Sequence, residues 1–118
     1  MSRLRPEIDR WTGRADYSPE GGTAYLMIYN AVKTKDRLIT GRLHAHGESC
    51  AVGSFYDVNP RCGLPTALVD EVAAVNDSVK NVTDRQRRLV VLRWLRWKLT
   101  QVGMPGFTKA ANPLKERP

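Results

Sequence analysis

The sequence predicts a mainly α fold: a single small domain of about four helices of unequal length, packed around a central C-terminal helix. Three observations carry this expectation. Residues 83–103, TDRQRRLVVLRWLRWKLTQVG, combine a start signal, a stop signal and apolar residues at helical spacing. The stretch TALVDEVAAVND, directly after Pro65, repeats the same period. A third apolar segment opens at Thr23. The helical domain is read as residues 23–103, with an irregular arm at 1–22 and an irregular tail at 104–118.

The arm alternates charged residues with Trp11 and Tyr17 and ends in Ser18-Pro19-Glu20-Gly21-Gly22. It shows no sustained period, so it reads as extended chain with one short helical turn at residues 6–11, anchored to the body by Trp11. Gly21-Gly22 reads as a hinge. Its free N–H groups at a helix start offer a weaker second reading, an anion site. From Thr23 the segment AYLMIYNAVKTKDRLITG places Tyr25, Ile28 or Tyr29, Val32 and Leu38 on one helical stripe, with Gly41 as the stop. Tyr25 to Tyr29 alone also suits a strand; Ala31, Lys33 and Lys35 favour helix.

A short helix is expected to begin near Ser49, where Ala51, Gly53 and Ser54 let a neighbouring backbone come close. Asn59-Pro60 and Gly63 mark a loop, and Pro65 suits the first turn of the next helix. There Leu68, Val69, Val72 and Val75 form an apolar stripe, while Asp70, Glu71 and Asp77 lie outside it. Asn76-Asp77-Ser78 closes that helix. Its acidic side is a natural neighbour for the basic helix that follows.

In that last helix Thr83 is the N-cap and Gln86, three residues on, completes a capping box. Asp84 meets the positive end of the helix dipole. Gly103 and Pro105 stop the helix. At about 100° per residue, Val91, Leu92, Leu95, Leu99 and Val102 share one stripe, and Val90, Trp94 and Trp97 share a second. Arg93 and Arg96 lie along one seam between the stripes, Arg87 and Lys98 along the other. Two apolar stripes imply packing on both sides, with arginine stems covering apolar surface. The alternative makes Trp94 and Trp97 an exposed docking face, a setting in which aromatics and arginine are enriched. Phe107 is expected to pin the start of the tail.

The chain has 118 residues, 42% hydrophobic and 26% charged, which suits one soluble globular domain. No apolar run reaches the ~20 residues of a membrane span. MSRLRPEIDRW lacks the apolar core of a signal peptide, so a cytoplasmic protein is expected. The net charge of +7 is uneven. Residues 83–118 hold nine basic and two acidic groups, whereas residues 48–82 hold two and five. A field of that sign favours an anionic partner, an acidic protein surface or nucleic acid.

Two constellations suggest chemistry. His44, His46, Cys50 and Cys62 supply four nitrogen and sulfur donors of the kind zinc takes, although H-x-H-x3-C-x11-C is no established finger spacing. Alternatively Cys50, near a helix N-terminus that lowers a thiol pKa, acts as a nucleophile with His44 or His46 as base. Asp57, Asn59 or Asp77 would then orient the imidazole. The plain reading is two loop histidines and two small buried thiols, with no cofactor. Nucleic-acid binding would use Arg85, Arg88, Arg93, Arg96 and the tail on phosphates. A helix that is apolar on two faces does not suit a major groove. Stacking on Trp94 or Trp97 requires exposed rings.

The order Cys50-Ala51-Val52-Gly53, then a helix ending at Asn76-Asp77, then an Arg-rich last helix resembles a group of small uncharacterised proteins from high-GC bacteria and their phages. The likeness covers roughly residues 23–102. The charged N-terminal arm and the twin tryptophans depart from that pattern. The resemblance implies a phage or mobile-element accessory protein. The expected function is a non-enzymatic binding protein that engages, and inhibits or modulates, host nucleic-acid-handling or defence machinery. Its expected binding residues are Arg85, Arg88, Arg93, Arg96, Lys98, Trp94 and Trp97, and a homo-oligomer through the Trp94/Trp97 face is a further use of those rings. The alternative is a small cysteine- or zinc-dependent enzyme built on His44, His46 and Cys50.

Overall fold

The computed structural model describes residues 17–107 and 113–114. Trp11, the turn expected at 6–11 and most of the tail lie outside these residues. Four helices form the described body: α1 (Gly21–Lys33), α2 (Ala51–Val58), α3 (Thr66–Ser78) and α4 (Asp84–Gln101). A small antiparallel hairpin, β1 (His44–Ala45) with β2 (Glu48–Ser49), precedes α2. The fold is therefore mainly α, as the periodicities predict.

α1 lies between α4 and α2, and α3 closes the bundle against α2 and α4. Ala24, Tyr25, Ile28, Ala31 and Val32 form the buried face of α1. Its start differs from expectation. The Gly21-Gly22 pair belongs to the first turn, and a Cβ on Gly22 would lie 2.8 Å from Met104 Cε. Gly22 thus lies close to the Met104 side chain beyond α4, and Gly21 has left-handed backbone (φ 58°), which suits a glycine. The helix also ends earlier than Gly41. At Lys33 the chain turns, and Thr34 and Lys35 donate their N–H groups to the Ala31 and Val32 carbonyls. Leu38 is fully buried as expected, but it reaches the core from a loop, where its N–H bonds the Asp84 carbonyl at 3.1 Å.

The hairpin has no counterpart in the expectations from sequence. Its two turn residues, His46 and Gly47, both have left-handed backbone (φ 54° and 79°), the conformation that suits a two-residue hairpin turn. It delivers the Leu43 carbonyl to the start of α2, where it accepts from the Cys50 N–H at 3.1 Å. Gly53 makes this possible: a Cβ there would stand 2.1 Å from Leu43 O. The small residues of α2 thus serve the close backbone approach anticipated for them.

In α3 the stripe Leu68, Val69, Val72 and Val75 is buried, again as expected. The helix ends at Ser78 as expected, and Asn76, the first of its three closing residues, is fully buried inside the last turn. Its Oδ1 accepts from the Ala51 N–H at 3.1 Å, and its Nδ2 donates to the Ile39 carbonyl at 2.8 Å and to Asp77 Oδ1 at 3.0 Å. One amide therefore joins α3, the first turn of α2 and the loop after α1. Replacing Asn76 by Ala strands a buried donor and a buried acceptor, each costing more than the bond itself was worth. Urea unfolding of Asn76→Ala is expected to show a loss of about 2–4 kcal/mol, with an unchanged denaturant slope.

Candidate interaction surface

α4 carries the five cations named as binding residues, Arg85, Arg88, Arg93, Arg96 and Lys98, so its rotation decides which of them face solvent. The helix starts as the sequence indicates. Thr83 Oγ1 accepts from the Gln86 N–H at 3.1 Å, and Gln86 Oε1 accepts from the Thr83 N–H at 2.8 Å. Inside the first turn Arg87 turns inward and is only 8% exposed. Its guanidinium donates to the carbonyls of Leu38 (3.2 Å) and Val79 (3.3 Å) and pairs with Asp84. A carboxylate and two backbone carbonyls accept from its two terminal nitrogens and offset the burial of the charge, while its Nε is buried without a hydrogen-bond partner among the described residues.

Val91, Trp94, Leu95 and Leu99 follow Arg87 into the core, with Val90, Leu92 and Trp97 half-buried at its margins. Val102, just past the helix end, is exposed. The two apolar stripes are therefore one broad face, joined across the seam occupied by Arg87 and Lys98. Among the described residues, α4 packs through this one face and not on two opposite sides. Trp94, expected as a docking residue, is 4% exposed and packs edge-on against Tyr25 at 6.2 Å. Its ring has no free surface to offer a partner or a second copy of the chain.

Lys98, also expected on the binding surface, is engaged within the fold. Its ammonium pairs with Glu71 of α3 at 3.2 Å and stands 5.3–5.8 Å from the ring centroids of Tyr25, Trp97 and Trp94. Glu71 also accepts from the Tyr25 hydroxyl. Burial, reinforced by that carboxylate, pushes the Tyr25 hydroxyl well above its usual pKa. The acidic helix thus neighbours the basic one through this pair. Arg88 is half-buried and donates to the Lys33 carbonyl at 3.3 Å, at the negative end of the α1 dipole.

Three arginines of α4 face outward. Arg85 is exposed and pairs with Asp36 at 3.0 Å, a contact screened by solvent. Arg93 and Arg96 are exposed, and their guanidinium groups have no partner among the described residues. Between them and Arg85 lies Leu89, a large apolar side chain that is 51% exposed. Asp84 is the one acidic residue of α4, and it is committed to Arg87. The outer face of the helix is accordingly cationic along its length.

The residues considered for catalysis are placed differently from that reading. Cys50 is the N-cap of α2, so its expected position at a helix N-terminus is correct, and its Sγ accepts from the Gly53 N–H at 3.4 Å. It is, however, 1% exposed, and burial pushes its pKa up to about 12 despite the helix N–H groups. A lowered pKa is the opposite of what this site produces. His44 Nε2 bonds Asp57 Oδ1 at 2.8 Å, so the orienting carboxylate named from the sequence is met. Lys35 holds the other oxygen of Asp57 at 2.8 Å. Burial raises the Asp57 pKa, but the Lys35 and His44 hydrogen bonds outweigh it and leave the carboxyl below its ordinary value. His46 is exposed in the hairpin turn. Cys62 lies on the loop that pairs with Tyr17, on a different element from His44 and Cys50. His44, His46, Cys50 and Cys62 do not converge, and among the described residues no group of three His, Cys, Asp or Glu side chains is placed to hold a metal ion. A shallow cleft lies beside the hairpin, lined by Lys35, Asp36, Arg37, Gly47, Glu48 and Ser49. No helix among the described residues is long and apolar enough to cross a membrane.

No protein-family model, curated protein or solved structure matches the chain. The burial of Cys50 has a direct chemical readout. In the native protein at pH 8, a maleimide or disulfide reagent is expected to modify Cys50 more than about 100-fold slower than an unhindered thiol. Half-buried Cys62 reacts first. Mass spectrometry of the labelled peptides checks the order.

Proposed function

We propose that the protein is a non-catalytic binding protein that docks the outer face of α4 on an anionic partner surface. The observation that supports this reading is the pair Arg93 and Arg96, exposed and without partners among the described residues, on a helix face that carries no carboxylate. Arginine in this state retains its full capacity for bidentate bonding to carboxylate or phosphate. Arg85 stands on the same face, one turn before Leu89, while Arg93 lies one turn after it and Arg96 about two. It is held only by a solvent-screened pair and is released at small cost.

The inward cations have structural duties that leave them out of this role. Arg87 is bonded in the core, Arg88 caps α1, and Lys98 is held by Glu71. In the setting that the sequence resemblance implies, a phage or mobile-element accessory protein, the anionic surface would belong to host nucleic-acid-handling or defence machinery, which docking would inhibit or modulate.

Heparin, a generic polyanion, tests the surface before any partner is known. Reversing both exposed charges in Arg93→Glu/Arg96→Glu is expected to weaken heparin binding roughly tenfold or more near 0.1 M salt and to flatten its salt dependence. The unfolding midpoint should remain close to wild type, because both side chains are in solvent. Equal heparin affinity in the wild type and the reversed variant would contradict the proposal.

A further inference from the structure

We infer that the partner surface is an acidic amphipathic helix of another protein, seated lengthwise on α4 with Leu89 as its apolar anchor. This rests on the outer face of α4 being the binding surface, and it adds the chemical class of what binds there.

The inference comes from the order of side chains along the exposed line. Arg85, Leu89, Arg93 and Arg96 are spaced by four, four and three residues, so they follow one ridge of the helix. The ridge spans about 16 Å at 1.5 Å per residue. An apolar group therefore stands between cations, with 51% of its surface in water. A phosphate backbone satisfies the arginines but brings no apolar surface to Leu89. A helix with carboxylates on either side of a leucine or similar residue, at the same spacing, satisfies both. Its own ridge of residues four apart is the ordinary complement to such a line. A second copy of this chain does not fit: pairing the face with itself opposes arginine to arginine, and α4 offers no free carboxylate to relieve the repulsion.

Three probes separate the possibilities: a helical peptide carrying a leucine between glutamates at four-residue spacing, the same peptide with that leucine replaced by serine, and a 20-base-pair DNA duplex. Fluorescence anisotropy at 0.1 M salt gives the affinities. Wild-type protein is expected to bind the leucine peptide roughly five- to tenfold more tightly than the serine peptide. Leu89→Ser should remove that preference. Its exposed position means that the variant folds, which circular dichroism verifies. Three results would overturn the inference: no binding of the leucine peptide, a preference that survives Leu89→Ser, or tighter binding of the duplex than of the leucine peptide. If Leu89→Ser has no effect while Arg93→Glu/Arg96→Glu abolishes binding of every probe, the helical partner fails and the cationic surface stands. If the charge-reversed variant binds all probes as wild type does, both fail.

Discussion

The burial of Arg87 is the constraint on which the rest of α4 depends. A buried guanidinium is costly unless acceptors surround it, and here Leu38, Val79 and Asp84 accept from its two terminal nitrogens from three parts of the chain. The loop after α1, the linker after α3 and the first turn of α4 are thereby tied to one side chain. With Arg87 inward, the helical period sends Val91, Trp94, Leu95 and Leu99 inward as well. The same geometry turns Arg85, Leu89, Arg93 and Arg96 to solvent. The division of the basic residues into structural and available groups follows from this single rotation.

A second polar anchor, Asn76, does the corresponding task nearby, on the carbonyl next to the one that Arg87 holds. It holds the α2 N-terminus and the loop carbonyl of Ile39, and the hairpin adds the Leu43 carbonyl over Gly53. Cys50 is enclosed by this arrangement. The helix N-terminus that would lower its pKa is present, but desolvation is the larger effect and wins. His44 is drawn to Asp57 on the outside of α2, into a cluster with Lys35. What looks in the sequence like one reactive group is two separate structural contacts.

Local signals are legible in the sequence and remote ones are not. The Thr83–Gln86 capping box, the stripe of α3 and the small residues of α2 depend on neighbours within a few positions, and the structure contains all three. Phe107, expected to pin the start of the tail, packs on Tyr29 at 5.5 Å between ring centroids, although which residue it meets is not legible locally. Arg87 and Asn76 depend on carbonyls and N–H groups 25–49 residues away, which no local pattern records. The helix expected to reach Gly41 stops at Lys33 because the following chain is needed to bring Leu38 and Ile39 to those two side chains. The paired stripes of α4 mislead for a related reason. Lys98 occupies the seam between them, yet Glu71 and three aromatic rings draw it into the fold, so a charged position behaves as part of the apolar face. On the candidate surface, Arg85, Arg93 and Arg96 are legible as available cations, whereas the withdrawal of Trp94 and Lys98, and the place of Leu89 among the arginines, require the packing.

The most direct measurement is a residue-resolved map of where an anion touches the protein. Titrating the 15N-labelled chain with an acidic peptide and following amide and arginine side-chain resonances reports every site at once. The largest changes are expected to trace the line Arg85, Leu89, Arg93 and Arg96, with the Trp94 indole and Arg87 guanidinium signals unmoved. Changes centred on the Lys35–Arg37 cleft beside the hairpin, with the outer face of α4 silent, would contradict this expectation.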